Sequence, residues 1–226
     1  MIRIGTETTV GELAVEHPLA TRVFARHGID FCCGGGEPLG AVCVRRSLDI
    51  AALLAEIERE LAPAGGSGAA RRWDQAPLPD LIDHLLATYH RPLDEELPRL
   101  AQMARKVHEV HGSKDPALFA ELLAVYLGLK AELDQHMMKE EQILFPMIRA
   151  GQGAMAMGPI AVMEQEHVDA GSALARLREL TGGYAVPEEA CNTWRALWHG
   201  LEALERDLHE HIHLENNVLF PRALAG

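Results

Sequence analysis

In the second half of the chain, apolar residues recur at alternating spacings of three and four. The runs fall at roughly 78–109, 117–149, 158–181 and 188–219, the period of helices that bury one stripe. Between them stand HGSKDP, AGQGAMAMGP and TGGYAVP, whose glycines and prolines end one helix and allow the next to start. Four such helices on short loops predict an antiparallel four-helix bundle. The patterns before residue 62 are shorter. Thr9 and Glu12 are spaced as a capping box. PLATRVFARHG puts Pro18 at a helix start and Gly28 at its end, and PLGAVCVRRS and LDIAALLAEIEREL follow. The expected fold is all-α: a small helical N-terminal domain over 1–62, a flexible Gly/Pro-rich linker over 63–77, and the bundle over 78–226.

The bundle seams carry residues that do not belong in an apolar core. The second reads Leu122, Tyr126, Leu129, Leu133, His136, Glu140, Ile143, and the fourth Leu201, Leu204, Leu208, His211, Glu215, Val218. The third reads Ile160, Met163, His167, Ala170, Leu174, Leu177, and the first Ile82, Leu86, His90, Leu93, Leu97, Leu100. A lone seam histidine is usually a satisfied core residue. Here every seam has one, and two add a glutamate a turn later. A carboxylate buried without a compensating cation costs several kcal/mol, so the set points to metal in the bundle core, where bundles place such sites.

Both glutamates belong to a repeat, HMMKEEQILFP at 136–146 and HIHLENNVLFP at 211–221. Its Leu and Phe are expected to close the core, and Pro146 and Pro221 to bend or stop the helix. Four imidazoles and two carboxylates are too many for one tetrahedral zinc. They suit two metals, each with two histidines, bridged by Glu140, Glu215 and a solvent-derived oxo or hydroxo group. Mixed nitrogen and oxygen ligation with open positions favours iron or manganese. Pro92, just after His90, removes a helical hydrogen bond and predicts a kink or π-type turn there. Tyr126 is expected to turn its hydroxyl toward the site. His209 and His213 share another stripe with Asn216, and His84 lies on a polar one. His17, His27, His108, His111 and His199 fall near helix ends or off the seams, where solvation is the expectation. Glu132, one turn before His136, and Glu166, just before His167, suit hydrogen bonds to the ligands or a polar path to the metals, but a solvated helix face accounts for them equally well.

Composition narrows the partners. A net charge of −12 argues against nucleic acid and against anionic membrane surfaces. No apolar run approaches the ~18–20 residues of a membrane span, and the first residues lack a secretory pattern. Four unpatterned cysteines suit a reducing cytoplasm. Cys32 and Cys33 stand side by side in DFCCGGG. Its glycines are expected to leave the thiols exposed, and the helix beginning near Pro38 to lower a thiol pKa. Redox or metal-handling chemistry is the favoured role. Cys43 is expected to be buried on a helix, and Cys191 to fill core.

With these residues in hand, the chain resembles the iron–sulfur cluster repair di-iron proteins, which join a short ScdA-type cysteine-containing domain to a hemerythrin-like domain. The resemblance is carried by DFCCGG, IDHLLATYH, HMMKEEQILFPMI, AMGPIAVMEQEH and HIHLENNVLFPRALAG, almost the full length. It implies His90, His136, Glu140, His167, His211 and Glu215 as ligands of two non-haem irons, and Cys32 and Cys33 as the pair for redox chemistry or iron transfer. Oxygen-carrying hemerythrins are less similar, since they end in H-x-x-x-x-D where this chain has H-x-x-x-E. Pro92 and Cys43 depart from the family pattern. The implied function is repair of iron–sulfur clusters damaged by nitrosative or oxidative stress, by donating iron to the damaged proteins. Reduction of nitric oxide at the site, with an external electron donor, is the enzymatic alternative, and reversible binding of oxygen or nitric oxide the sensing one. Whether the chain is an enzyme in the strict sense, or a homodimer, is open at this stage.

Overall fold

A computed structural model describes residues 5–61 and 72–226. They are helical, with no strand among them. In the front part, α1 (Val10–Glu16) starts at the Thr9–Glu12 capping box, in which each residue's side chain bonds the other's backbone N–H. Then come α2 (Ala20–Arg26), α3 (Leu39–Arg46) and α4 (Ile50–Leu61), packed around Val10, Leu13, Val23, Phe24, Leu39, Leu53 and Ile57. Gly28 has φ +60°, the left-handed conformation that ends a helix without steric cost.

The rest is α5 (Leu78–Leu85), α6 (Arg91–His111), α7 (Pro116–Lys139), α8 (Phe145–Arg149), α9 (Met157–Leu180), α10 (Asn192–Leu214) and α11 (Phe220–Ala225). The four long helices form a ring in which α6 touches α7 and α10, and α9 touches α7 and α10. Asp115 caps α7 by accepting from the Leu118 N–H at 3.1 Å, with Pro116 in the first turn. The fourth helix begins at Asn192, four residues later than its pattern suggested, and resumes as α11 to Ala225. Two apolar clusters fill the bundle, one around Leu97, Leu129, Leu174 and Trp198, the other around Ile82, Phe145, Ile160 and Phe220. The histidine–glutamate layer lies between them.

Three π-helical turns interrupt the bundle, at Leu86–His90, Glu140–Leu144 and Glu215–Leu219. Each closes with an N–H reaching back five residues, from Arg91 to Leu86, Phe145 to Glu140, and Phe220 to Glu215. In each case the next residue is a proline, Pro92, Pro146 or Pro221, which lacks the N–H an unbroken α-helix would use. The helices therefore neither stop nor simply bend: they absorb one extra residue and continue. That residue rotates the remainder of the helix by about 100°. Ile143, expected in the seam, is 52% exposed, while Val218, at the same place in its own π-turn, is 2% exposed. The difference arises because α1 packs on the second repeat, with Val15 against the core that contains Val218.

The front part docks through the cysteine loop. Asn217 Nδ2 donates to the carbonyls of Phe31 and Cys32 at 3.3 and 3.2 Å, and His213 Nδ1 lies 3.2 Å from the Phe31 carbonyl. Phe31 meets His209 and His213 edge-on. These two histidines, set aside in the sequence as an off-seam pair, are docking residues. Of the expected linker, 63–71 lie outside the described residues. Trp73 and Ala76 are tied to the bundle, their carbonyls accepting from Arg222 at 2.8 and 2.7 Å.

At the docking surface Gly11, whose N–H donates to the Gly35 carbonyl at 2.7 Å within the front part, lies against Asn217 of the bundle. A Cβ at Gly11 would sit 2.5 Å from Asn217 Oδ1 and 3.0 Å from the Gly35 carbonyl oxygen. Gly11→Ala is therefore expected to loosen the cysteine loop without unfolding the bundle. Alkylation of Cys33 in the full chain should accelerate while the helical circular dichroism is retained; an unchanged rate would mean the contact is not limiting.

Candidate metal centre

Every seam histidine and both seam glutamates meet in one buried layer. His90 comes from the first π-turn, His136 from α7, His167 from α9 and His211 from α10, while Glu140 and Glu215 open the second and third π-turns. All six side chains are essentially buried, both glutamates fully so.

The histidines stand in two pairs. His90 and His211 bring their Nε2 atoms to 3.2 Å, and His136 and His167 to 3.0 Å. Each glutamate reaches both pairs. Glu140 Oε2 lies 3.5 Å from His90 Nε2 and 3.4 Å from His136 Nε2. Glu215 places Oε1 3.0 Å from His211 Nε2 and Oε2 3.2 Å from His167 Nε2. Two four-residue groups result, His90–Glu140–His211–Glu215 and His136–Glu140–His167–Glu215, with all donor atoms in each within 4.8 Å of one another.

The remaining imidazole nitrogens show how the rings are held. His90 Nδ1 bonds Glu141 Oε1 at 3.0 Å, His136 Nδ1 bonds Glu166 Oε2 at 2.9 Å, and His167 Nδ1 bonds Asn216 Oδ1 at 2.7 Å. These oxygens accept, so each Nδ1 carries the proton and each Nε2 turns a lone pair inward. Glu141 is paired with Arg91, and Glu166 with Lys139. The His211 ring is instead stacked on Tyr89, with the planes 1° apart.

The electrostatics are those of a centre built around positive charge. Burial, and then the neighbouring Glu215, hold the Glu140 carboxyl well above the usual carboxylate range. Burial pushes Glu215 the same way, but His211 and His167 overcome it and keep Glu215 well below that range. Burial and the proximity of His167 lower His136 to about 4, and burial with His211 lowers His90, so both rings stay neutral donors. Both oxygens of Glu140, with Oε2 of Glu215 and Nδ1 of His211, are buried without a hydrogen-bond partner. Inward lone pairs, an acidic pair and orphaned carboxylate oxygens all suit cation ligation. The donor set of four imidazoles and two carboxylates suits non-haem iron. A cavity of about 20 Å³, room for one water-sized molecule, adjoins His136, His167 and His211, and a larger one reaches His211 past Tyr89 and Leu208.

The cysteine loop lies directly behind this layer. The Cys33 thiol donates to the His167 carbonyl at 3.4 Å, and Cys32 Sγ lies 3.9 Å from Cys33 Sγ. Contrary to the exposure expected from the glycines, Cys32 is buried and Cys33 half-buried, because the docked bundle covers them. The hydrogen bond from Cys32 lowers the Cys33 thiol against the effect of burial, and the same bond, with burial, raises Cys32. The shift comes from the thiol pair, whereas the sequence had pointed to the helix start near Pro38.

Other expectations change. Tyr126 turns away from the histidines, its hydroxyl donating to the Leu97 carbonyl at 2.9 Å. Cys191 is exposed, with Sγ 3.2 Å from His111 Nε2, because α10 begins only after it. His27 pairs with Glu56 at 2.7 Å. Cys43 is buried on α3 as expected. Glu141 and Asn216 were missed as supports of the ring nitrogens, and Glu166, weighed as such a partner in the sequence, takes that role for His136. Each is polar and adjoins a seam residue in sequence, the one signal by which they were visible.

Known proteins give a consistent picture. Residues 81–223 match the hemerythrin HHE cation-binding domain, and residues 6–61 match ScdA_N, a domain of unknown function. The chain is 47% identical to an iron–sulfur cluster repair protein of Citrobacter koseri over 96% of both chains. It is 46% identical to proteins of the same description from Escherichia coli and Escherichia fergusonii, again over 96% of both.

Two outcomes follow from the geometry. Glu141→Ala frees the His90 ring and should weaken ferrous iron binding about 10- to 100-fold, measured by chelator competition; unchanged affinity would remove Glu141 from the centre. Burial and Glu215 favour the protonated Glu140 carboxyl in the metal-free centre, and a bound cation must displace that proton, so affinity should rise with pH. Calorimetric iron titrations in buffers of different ionisation enthalpy should record net proton release at pH ~7. No release would contradict the raised Glu140 carboxyl.

Proposed function

From the premise that the chain belongs to the hemerythrin HHE cation-binding family, we propose that it repairs iron–sulfur clusters by supplying iron from a two-iron centre. The observation that carries this reading is the pair of fully buried glutamates, each within reach of both histidine pairs. In this reading one iron is held by His90 and His211, the other by His136 and His167, and Glu140 and Glu215 bridge them. Bound there, the irons supply a redox-active, releasable store. The protein's part is to turn four imidazoles inward and to fix three of them through Glu141, Glu166 and Asn216. Cys32 and Cys33 are the residues for redox chemistry or iron transfer, a role supported by the docking of their loop against the His167 backbone.

The domain division is part of the same reading: a cysteine-bearing front domain to about residue 62, and a bundle that holds the metals. Damaged iron–sulfur proteins are the partners. The expected setting is the cytoplasm, consistent with the absence, among the described residues, of any helix long and apolar enough to cross a membrane. An electron donor is needed where the irons must be reduced before release.

The test is anaerobic. Reduced, iron-loaded protein is mixed with a nitric-oxide-damaged iron–sulfur dehydratase, without free iron or nitric oxide, and recovered activity is followed against the protein's iron content. Recovery should track iron lost from the centre and should be slowed in the Cys32→Ala/Cys33→Ala double variant. No recovery, with the iron retained, would overturn the donor reading in favour of nitrogen-oxide reduction at the same centre.

A further inference from the structure

The loop that carries the two cysteines also carries a carboxylate with an otherwise redundant share of donor atoms. Asp30 Oδ1 accepts from the Cys32 N–H at 2.9 Å, the Cys33 N–H at 3.0 Å and the Cys32 thiol at 3.2 Å. Its other oxygen faces Gly34, where a Cβ would come within 3.0 Å. The glycine thus leaves that side of the carboxylate open. The sulfurs stand 3.9 Å apart. Two thiolates on one tetrahedral ion, with metal–sulfur bonds of ~2.3 Å, are separated by about 3.8 Å.

We propose that Asp30, Cys32 and Cys33 form a second metal site, for one thiophilic divalent cation, on the loop docked behind His167. Two sulfurs and one carboxylate oxygen select a soft or borderline ion such as ferrous iron or zinc over magnesium or calcium. Binding replaces the two thiol protons, which pass to solvent, by two metal–sulfur bonds, with no change of oxidation state. The site does not depend on the loop's own stiffness. Asn217 and His213 hold the carbonyls of Phe31 and Cys32, and the Cys33 thiol abuts the His167 carbonyl. A cation here would sit between the bundle centre and solvent, with a coordination position left for a ligand from outside. The inference extends the iron-supply reading by giving the transferred ion a place to rest, but it is defined by metal binding alone.

The experiment uses the full-length, iron-loaded protein carrying Cys191→Ser, which removes the exposed thiol beside His111. Cadmium is added anaerobically while thiolate-to-metal absorption in the near ultraviolet and iron content are followed. One cadmium per chain should bind with thiolate absorption and no loss of iron, and Cys32→Ser or Cys33→Ser should abolish it. Asp30→Asn keeps an oxygen to cap the loop but loses the charge, and should weaken binding about 10-fold or more with an unchanged melting temperature. If that variant melts lower, Cys33→Ser decides. Absence of thiolate absorption, cadmium uptake only in exchange for iron, or equal affinity in a normally folded Asp30→Asn variant would each overturn the proposal. Because the readout is cadmium bound beside retained iron, it is independent of the repair assay.

Discussion

Two carboxylates with no solvent exposure, in the middle of a helical bundle, are the constraint around which the rest of this protein is arranged. Glu140 and Glu215 cannot both carry charge in an apolar layer unless positive charge lies between them. The opposed shifts of their carboxyls express that conflict in the metal-free chain. Four imidazoles turn a ring nitrogen toward the same space, and three are fixed there from behind by an oxygen acceptor. A cation converts each of these unfavourable features into a bond.

The backbone is fitted to the same purpose. Each π-turn lies just before a proline, and each contains or adjoins a residue of the layer: His90, Glu140 and Glu215. The missing N–H of the proline makes the wider turn inexpensive, and the extra residue lets the helix present a ligand on one side of the turn and large apolar residues on the other. Phe145 and Phe220, immediately after the turns, are buried in the second cluster. The repeat of His, Glu, Leu, Phe and Pro therefore encodes two linked things, a pair of ligands and the register shift that closes the core beside them.

Much of this was legible in the sequence, because helical periodicity places seam residues reliably even when the helix is interrupted further on. His136 and His211 lie before the interruptions and Glu140 and Glu215 at their first residues, so the alternating spacing located them. Ile143 and Val218 hold the same place in their π-turns, but only Val218 is covered by α1, so the seam assignment held for it and failed for Ile143. Tyr126 was misjudged for another reason: a seam position fixes the side of the helix but not where the hydroxyl bonds, which is the Leu97 carbonyl. The docking of the front part was not legible at all. It depends on His213, Asn217 and the small volumes of Gly11 and Gly35, contacts between segments far apart in sequence with no periodic signature.

The docking matters because it brings thiols to the back of a histidine whose front faces the metal space. The central claim, however, is that the two glutamates join two metal positions into one centre, and iron stoichiometry tests it most directly. Iron bound per chain should be measured after anaerobic reconstitution of the parent protein and of Glu140→Ala and Glu215→Ala. The account predicts two irons in the parent, and in each variant weakened binding at both positions, since each glutamate reaches both histidine pairs. A parent that binds a single iron, or variants that each lose one iron and hold the other as tightly as before, would contradict it.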